Sequence, residues 1–441
     1  MARKVFISIL GTSFYSSCKY VDESIEFESS ETRFIQQATL EYIEASKWSE
    51  GDAAYFLLTD LARTSNWNES IIQRKNIFTK ENIPYRGLQA ILKEMHLPIA
   101  PENIPIPKGE NEKEMWEIFN KLFDALQEED ELYFDLTHSF RYLPMLVLVL
   151  GNYAKFLKHA TVKHISYGNY EARDKMTNRA PIINLLPLSV LQDWTFAAGQ
   201  FLDSGNVKKL ANLSNETLKP ILKEAKGTNE EAKNLKKFIN DLSSVIDERT
   251  LCRGISIVKS DSLKELKKDA SKIEKSFIEV LNPVFNKIKE STQDFDENVN
   301  VQNGFLAAQW CLHNGLYQQA ITIFHENIIT LLCDEENLNW TNEDERSVVS
   351  IAFHVDKNHA ETWNLHVKAD ATEDEINAKI EKVKHVFTNC HFQLLYDTFS
   401  QISDIRNDFN HSGMRNNPMS AHKLRKEIEK VMQSVETILK S

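Results

Sequence analysis

The hydrophobic pattern of the 441-residue chain changes between its two halves, and this change restricts the folds that the chain can form. Up to about residue 190, short β-rich runs alternate with stretches of helical periodicity. The predicted strands are Lys4–Leu10, Ala53–Thr59, Glu131–Leu136, Thr161–Tyr167 and Ile182–Leu186. Strands that alternate with helices of about ten to fifteen residues indicate βαβ crossovers and a mainly parallel sheet. Residues 1–190 are therefore expected to form an α/β, Rossmann-like domain.

From about Leu191 onwards, apolar residues recur with the 3.6-residue period of α-helices, and few stretches have the pattern of a strand. Gly315–Cys333 is the clearest example, because its apolar residues fall on one broad face. Thr341–Arg346 and Asp356–Glu375 are dominated by polar residues and are expected to be insertions between helices. The sequence thus predicts an all-α domain over residues 191–441, although no Pro/Gly-rich linker marks its start.

The overall composition indicates a globular, cytoplasmic protein, with 42% apolar and 26% charged residues. The longest apolar run, around Leu143–Leu150, is far shorter than the roughly 20 residues needed to cross a bilayer. The five cysteines form no CxxC pair, which argues against a disulfide framework or a zinc site, and we expect no metal. A formal charge of −12 argues against a dedicated DNA-coating protein, so any nucleic acid must bind at a local, sheltered site.

Polar residues follow three of the predicted strands at their carboxyl ends, where ligands bind in parallel α/β sheets. They lie in Gly11-Thr12-Ser13, in TDLARTSNW (59–67) and in DLTHSFRYLP (135–144). The first could equally be a turn that caps a helix. The last is more specific, because it brings hydroxyl, imidazole and guanidinium groups to one strand end, whereas a helix cap needs only one such residue. No GxxxxGK[ST] or GxGxxG pattern occurs, which disfavours a nucleoside triphosphatase or a dinucleotide-dependent dehydrogenase.

These three segments together resemble the CARF domain of CRISPR-associated ribonucleases of type III systems, and the resemblance covers about residues 1–190. In that family the domain is a dimeric, Rossmann-like sensor of cyclic oligoadenylates. The resemblance implies a two-fold symmetric pocket for such a ring, with cyclic tetra-adenylate the favoured activator. The residues that it implies as the pocket lining are Gly11, Thr12, Ser13, Thr59, His138, Ser139 and Arg141.

The helical half contains a single R-x4-H pattern, RNDFNH, which runs from Arg406 to His411. Apolar residues recur every three or four positions over 392–402, and the same stepping places Arg406 on the buried seam of a helix. Burying a guanidinium costs several kcal/mol unless the group is paired or binds an anion. The alternative is an arginine that reaches solvent or pairs with Asp404 or Asp408.

This pattern resembles the signature of HEPN ribonucleases, in which a polar residue follows the arginine, as Asn407 does here. The resemblance implies a metal-independent endoribonuclease without a cofactor, which cleaves single-stranded RNA in type III CRISPR antiviral defence as a homodimer or larger homo-oligomer. Arg406 would stabilise the charge on the phosphate, and His411 would act as general acid/base or position the leaving group. Asn407 would orient one of these two side chains.

Two other functions stay open on the sequence alone. The chain could be a non-catalytic sensor of a cyclic nucleotide or a regulator, although no basic recognition helix is visible. The sensor half could also degrade its own ring, with His138, Thr12 or Ser13 assisting attack by the 2′-OH of the ligand. No sequence pattern distinguishes a ring of four adenylates from one of six, fixes the RNA base preference, or defines assembly beyond a dimer.

Overall fold

The computed structural model of the chain describes residues 2–68, 72–75, 82–138, 142–273, 281–365, 367 and 371–440, with only the backbone for 72–75 and 82–84. The chain divides into two compact units, Met1–Gln192 and Asp193–Ser441. The first unit contains a sheet with helices, and the second is helical. The fold class predicted from the sequence, a Rossmann-like α/β domain followed by a helical region, is confirmed.

The first unit is built on a sheet whose central strands are parallel. Its strands are β1 (Lys4–Ile9), β2 (Lys19–Asp22), β3 (Phe27–Glu28), β4 (Ala53–Leu58), β5 (Ile72–Lys75), β6 (Asn82–Tyr85), β7 (Pro101–Pro105), β8 (Glu131–Asp135), β9 (Thr161–Gly168) and β10 (Arg179–Asn184). Within the described residues, the main sheet has the order β3-β2-β10-β9-β8-β1-β4-β7, and β5 pairs with β6 separately. Because β1 pairs in parallel with both β4 and β8, the carboxyl ends of these three strands lie side by side.

Helices cover both faces of this sheet. They are α1 (Ile35–Tyr42), α2 (Asp60–Ala62), α3 (Leu88–Glu94), α4 (Glu112–Ala125) and α5 (Leu143–Leu157). The next helix, α6 (Leu186–Ser204), begins in the first unit and ends in the second. Successive residues of β1 point to opposite faces, so Ile7 packs in the core beneath α4 and α5, whereas Phe6 packs in the core beneath α3. Burial on both faces explains why β1 and β4 are continuous apolar runs in the sequence.

The first four predicted strands agree with β1, β4, β8 and β9 to within one residue. The fifth prediction, Ile182–Leu186, is displaced, because β10 begins at Arg179 and Leu186 already starts α6. The sequence analysis also missed the edge strands β3 and β7 and the strand β2 next to β3. These strands are short or contain proline, which occurs mainly at sheet edges and lowers the strand signal.

The second unit consists of packed helices. They are α7 (Lys208–Glu224), α8 (Glu230–Thr250), α9 (Gly254–Lys259), α10 (Asp261–Ala270), α11 (Asn282–Glu290), α12 (Gln302–His313), α13 (Tyr317–Glu335), α14 (Glu343–Ala352), α15 (Glu373–Val386), α16 (Cys390–Asn410) and α17 (Ala421–Lys440). The largely buried α13 lies against α12, α14 and α16. Among the described residues, no helix combines the length and the apolar character that a membrane crossing requires.

One of the two predicted polar insertions is wrong, because residues 341–346 include the start of α14. The side chain of Asn342 caps this helix by accepting a hydrogen bond from the backbone N–H of Glu345. The acidic residues that follow Asn342 suit the positive end of the helix dipole. The first turn of α14 consists of polar and acidic residues, so its composition resembles that of a loop, and the sequence analysis missed the start of the helix.

Candidate functional site

A cavity of about 290 Å³ lies where β1, β4 and β8 end in the first unit. Of the residues predicted for a ligand pocket, five line this cavity, namely Gly11, Thr12, Ser13, Thr59 and His138. The other two, Ser139 and Arg141, lie outside the described residues. Thr59 is buried and caps α2, because its hydroxyl accepts a hydrogen bond from the N–H of Ala62. Thr59 therefore forms part of the cavity wall, and its hydroxyl oxygen already accepts a hydrogen bond within the protein.

The loop after β1 is held by a side chain that the sequence analysis did not single out. Asn66 is buried, and its Nδ2 donates hydrogen bonds to the carbonyl oxygens of Gly11 at 2.7 Å and Ser13 at 2.9 Å. Two bonds from one buried amide fix the course of this loop, while the side chains of Thr12 and Ser13 stay exposed. Asn66 lies within the quoted segment TDLARTSNW, but its role depends on a contact more than fifty residues away in sequence.

An aromatic pair borders the same cavity. The ring of His138 stacks on the ring of Tyr15, with centroids 4.1 Å apart and planes inclined by 22°. Gly11 permits this arrangement, since a Cβ atom there would lie 2.5 Å from the hydroxyl of Tyr15. Burial lowers the pKa of His138 to about 4, so the imidazole is neutral at neutral pH. Its Nε2 has no hydrogen-bond partner among the described residues, which makes it available to a ligand.

Beneath the cavity, a buried carboxylate organises the strand ends. Asp135 accepts hydrogen bonds from the hydroxyl of Ser8 at 2.7 Å and from that of Thr137 at 2.6 Å. The hydroxyl of Thr137 in turn accepts from the N–H of Gly168 at 2.8 Å. Burial raises the pKa of Asp135, although these hydrogen bonds act in the opposite direction. This network of hydrogen bonds joins β1, β8 and β9. His138 directly follows Thr137, which is one of its members.

In the second unit, the predicted seam of α16 needs a correction. The buried side of the helix runs through 392–402 and continues with Ile405 and Asp408, one position before and two after Arg406. Arg406 therefore lies at the edge of the buried face, with 29% of its side chain exposed. Two alternatives are also wrong, because Asp404 lies near Arg415 and Asp408 accepts from a backbone N–H. The guanidinium has partners on another helix.

These partners are consecutive residues of α13. Nη1 of Arg406 lies 2.9 Å from Nδ1 of His325 and 3.5 Å from Oε1 of Glu326. His325 is buried beside the ring of Phe399, whose centroid is 4.6 Å away. Only Nη1 of Arg406 takes part in these contacts, so Nη2 and Nε stay available for a further acceptor.

Glu326 lies between two arginines. Its Oε2 is 2.9 Å from Nη2 of Arg346 on α14, closer than its Oε1 is to Arg406. Burial acts to raise the pKa of Glu326, but its hydrogen bond with His325 and the charge of Arg346 outweigh burial and lower the pKa to about 2. One carboxylate thus faces two guanidinium groups, which leaves an excess positive charge suited to an anion.

His411, the other predicted catalytic residue, caps the carboxyl end of α16. Its backbone N–H donates to the carbonyl oxygen of Asn407 at 3.0 Å, and its side chain is exposed. The helix stops one residue earlier than Gly413 alone would predict, because Ser412 already has φ = 53°. The side chain of Asn407 is exposed and makes no hydrogen bond with another described residue. Both side chains are therefore accessible at the same helix end.

A second cavity, of about 370 Å³, adjoins Glu326 and Arg346 within the helical unit. Its other lining residues include Arg253, Asn327 and Trp340. Among the described residues, no group of three or more His, Cys, Asp or Glu side chains is arranged to hold a metal ion. Glu326 and Arg346 therefore lie beside open space, whereas Arg406 and His325 do not line this cavity.

Comparison with known proteins gives a family match in the first unit. Residues 5–181 match the family model described as the CARF domain of the CRISPR system endoribonuclease Csx1. The chain is also 26% identical over 239 residues to the CRISPR-associated protein MJ1674 of Methanocaldococcus jannaschii. That alignment covers 53% of this chain and 34% of the relative, so the chain spans about a third of the length of the relative.

The predicted resemblance to CARF domains is thus confirmed, whereas the resemblance of the helical half to HEPN ribonucleases stays a prediction. The α/β fold, the cavity beyond β1, β4 and β8, and the family match agree with one another. They identify residues 5–181 as a CARF domain.

Proposed function

We propose that the protein is an endoribonuclease activated by a cyclic oligoadenylate, with its catalytic residues in the helical unit. The observation that carries this proposal is the position of Arg406. Its guanidinium is held by His325 and Glu326 through a single nitrogen, and its other nitrogens make no hydrogen bond with a described residue. His411 follows at the exposed end of the same helix. An arginine fixed by one nitrogen and an accessible imidazole are the groups that phosphodiester cleavage requires.

RNA carries its own nucleophile, the 2′-OH, so the protein has to move protons and stabilise charge. The imidazole of His411 serves as general acid/base or positions the leaving group. Arg406 donates Nη2–H and Nε–H to the phosphate oxygens as their negative charge grows. Asn407, exposed one residue after Arg406, orients Arg406 or His411. This mechanism requires no metal ion.

The CARF domain supplies the activator site. A cyclic oligoadenylate presents phosphates and adenines, and the exposed hydroxyls of Thr12 and Ser13 face such a polar ligand. The unpartnered Nε2 of neutral His138 can accept a hydrogen bond from an adenine amino group or a ribose hydroxyl. Binding of the ring activates the ribonuclease only if the ring has a higher affinity for the active arrangement of the protein than for the inactive one.

Asn66→Ala is expected to weaken activator binding by at least about tenfold, because two hydrogen bonds that fix the loop after β1 are lost. Isothermal titration calorimetry with cyclic tetra-adenylate and cyclic hexa-adenylate measures the effect. Asn103→Ala is the matched control, since Asn103 is an exposed asparagine of the same unit that accepts only from Arg63. Equal affinities of wild type and Asn66→Ala would contradict this role of the loop.

A homodimer is the assembly that this proposal requires, and α5 offers a surface for it. Its inner face is buried on the sheet, while Met145, Val149, Tyr153 and Phe156 form an exposed apolar stripe. Exposures of 70% for Met145 and 77% for Phe156 are unusual for large apolar side chains on one helix face. A second copy of the chain would cover this stripe, and two-fold symmetry would bring the two activator cavities near each other, since α5 follows directly on the segment that contains His138.

The test is an RNA cleavage assay with purified protein, a labelled single-stranded RNA and either cyclic tetra-adenylate or cyclic hexa-adenylate. We expect cleavage only with one of the rings, undiminished by EDTA. Products that end in a 2′,3′-cyclic phosphate would show attack by the 2′-OH. If the protein binds a ring and cuts no RNA, it is a non-catalytic sensor. Chromatography of the ring from the same samples reports whether the CARF domain also cleaves its ligand.

A further inference from the structure

The cavity of about 370 Å³ in the helical unit has an excess of positive charge in its wall. Its charged lining residues are Arg253, Glu326 and Arg346, so two cations face one anion. The wall is contributed by the turn before α9, by α12 and α13, and by α14 with the turn before it. A cavity of this volume is large enough for a ligand of the size of one nucleotide.

Arg346 holds this wall together. Its Nη1 donates to the hydroxyl of Thr330 at 2.8 Å and to the carbonyl oxygen of Trp340 at 3.3 Å. Its Nη2 donates to the carboxylate of Glu326 at 2.9 Å and to the carbonyl oxygen of the same residue at 3.2 Å. Because both terminal nitrogens are used, Arg346 fixes the backbone at Trp340 and the carboxylate of Glu326, and contact with a ligand is left to other side chains.

Trp340 and Arg253 line the same cavity and have groups that the protein does not use. Trp340 is half-buried, and no aromatic ring or cation of a described residue stacks on its indole. Arg253 is exposed, and within the described part of the chain only its Nε donates, to the carbonyl oxygen of Leu251 at 2.8 Å. Its Nη1 and Nη2 therefore remain for an anion. An aromatic ring together with a cation is the combination with which proteins bind the base and the phosphate of single-stranded nucleic acids.

Glu326 connects the cavity with the proposed catalytic arginine. Its Oε2 binds Arg346 of the cavity wall at 2.9 Å, whereas its Oε1 lies 3.5 Å from Nη1 of Arg406. Arg406 itself does not line the cavity. A phosphodiester bound at Arg406 would thus be separated from the cavity by one carboxylate group. A nucleotide attached to that phosphodiester is therefore the ligand that the cavity is placed to receive.

We propose that this cavity is a substrate subsite, which binds an RNA nucleotide next to the cleaved phosphodiester, with its base on the indole of Trp340 and a phosphate at Arg253. Every base has a π-face, so stacking on an indole contributes affinity without selecting one base. This inference rests on the proposed ribonuclease function for the cleaved bond, but the binding of RNA in the cavity can be measured without cleavage.

Binding is measured on the full-length protein by fluorescence anisotropy of a labelled, single-stranded 2′-O-methyl RNA, which lacks the nucleophile and stays intact. Trp340→Leu is expected to weaken binding by about tenfold, the effect of one lost base stack, whereas Trp340→Phe keeps a ring and should retain most of the affinity. Trp116→Leu, which changes an exposed tryptophan of the first unit, is the matched control and should bind as wild type does. Equal affinities of wild type and Trp340→Leu, or an equal loss in Trp340→Leu and Trp340→Phe, would overturn the proposal.

The salt dependence of binding tests Arg253 separately. For single-stranded RNA, the slope of log affinity against log salt concentration decreases by about 0.7 for each phosphate contact that is lost. Arg253→Gln should show this decrease, whereas Arg253→Lys and Trp340→Leu, which keep the charge, should have the wild-type slope. Arg86→Gln, which breaks an exposed ion pair with Glu94, is the matched control and should also keep that slope. A wild-type slope in Arg253→Gln would contradict the phosphate contact.

Cleavage of an unmodified RNA separates this proposal from the ribonuclease function. The loss in Trp340→Leu should appear as a higher KM rather than a lower kcat, because the stacked base is bound equally before and during the reaction. If wild type binds the 2′-O-methyl RNA through Trp340 and Arg253 but cleaves no RNA, the subsite is supported and only the ribonuclease function is refuted. If wild type cleaves RNA and Trp340→Leu has an unchanged KM, only the subsite is refuted.

Discussion

Arg406→Ala and His411→Ala are each expected to lower activator-stimulated RNA cleavage by at least about 100-fold, the effect of losing charge stabilisation or acid/base help. The physical reason differs between the two variants. Without Arg406, the phosphate loses the donors that the guanidinium keeps free beside Glu326. Without His411, no other described imidazole occupies the exposed end of α16. Initial rates with saturating activator and a labelled RNA provide the measurement.

Matched controls separate catalysis from folding. Arg415→Ala removes an arginine only a few residues after α16 that lies near Asp404, and it should cleave RNA at close to the wild-type rate. Activator affinity should be unchanged in all three variants, because the CARF cavity is in the other unit. Near-normal cleavage by both Arg406→Ala and His411→Ala, in proteins that melt at the wild-type temperature, would end the HEPN assignment.

The sequence was sufficient for the central part of the first unit. β1, β4 and β8 are apolar runs of uniform length followed by polar residues, and these patterns depend only on neighbouring positions. The edge strand β7 could not be found in this way, because PENIP contains two prolines and alternates poorly. Its parallel pairing with β4 is made possible by tertiary context rather than by its own propensity.

The candidate sites show the same division between local and distant information. Arg406 and His411 were singled out because six consecutive residues contain both. His325 and Glu326 were quoted only as part of a helix, since nothing local distinguishes them from other polar residues of α13. Their contact with Arg406 joins positions about eighty residues apart. Arg406 was predicted on the buried seam but lies at its edge, because the buried face of α16 continues from Ile402 through Ile405.

Met145→Glu combined with Phe156→Glu is expected to raise the dissociation constant of the homodimer by at least about 1000-fold. Each substitution removes a large apolar side chain from the proposed interface, worth about 1.5 to 3 kcal/mol when fully buried, and adds a charge that would have to be desolvated. Two such losses amount to about 3 to 6 kcal/mol, and together with the cost of desolvating two charges they exceed the roughly 4 kcal/mol that a 1000-fold change requires. The stability of the CARF domain itself should be maintained, since both side chains point to solvent in the isolated chain. Sedimentation velocity over a range of concentrations measures the association directly.

Met176→Glu combined with Ile25→Glu is the matched control, because these residues are also exposed apolar side chains of the first unit but do not belong to α5. This control should sediment as wild type does. Activator-stimulated cleavage should fall in the α5 variant at protein concentrations where it is monomeric and recover as the concentration is raised, because the proposed activator pocket is formed by two copies of the chain. A variant that still dimerises with wild-type affinity would place the interface on another surface. A monomeric variant with full activity would show that each chain acts alone, and the excess positive charge beside Glu326 would then suffice for one phosphate without a symmetry mate.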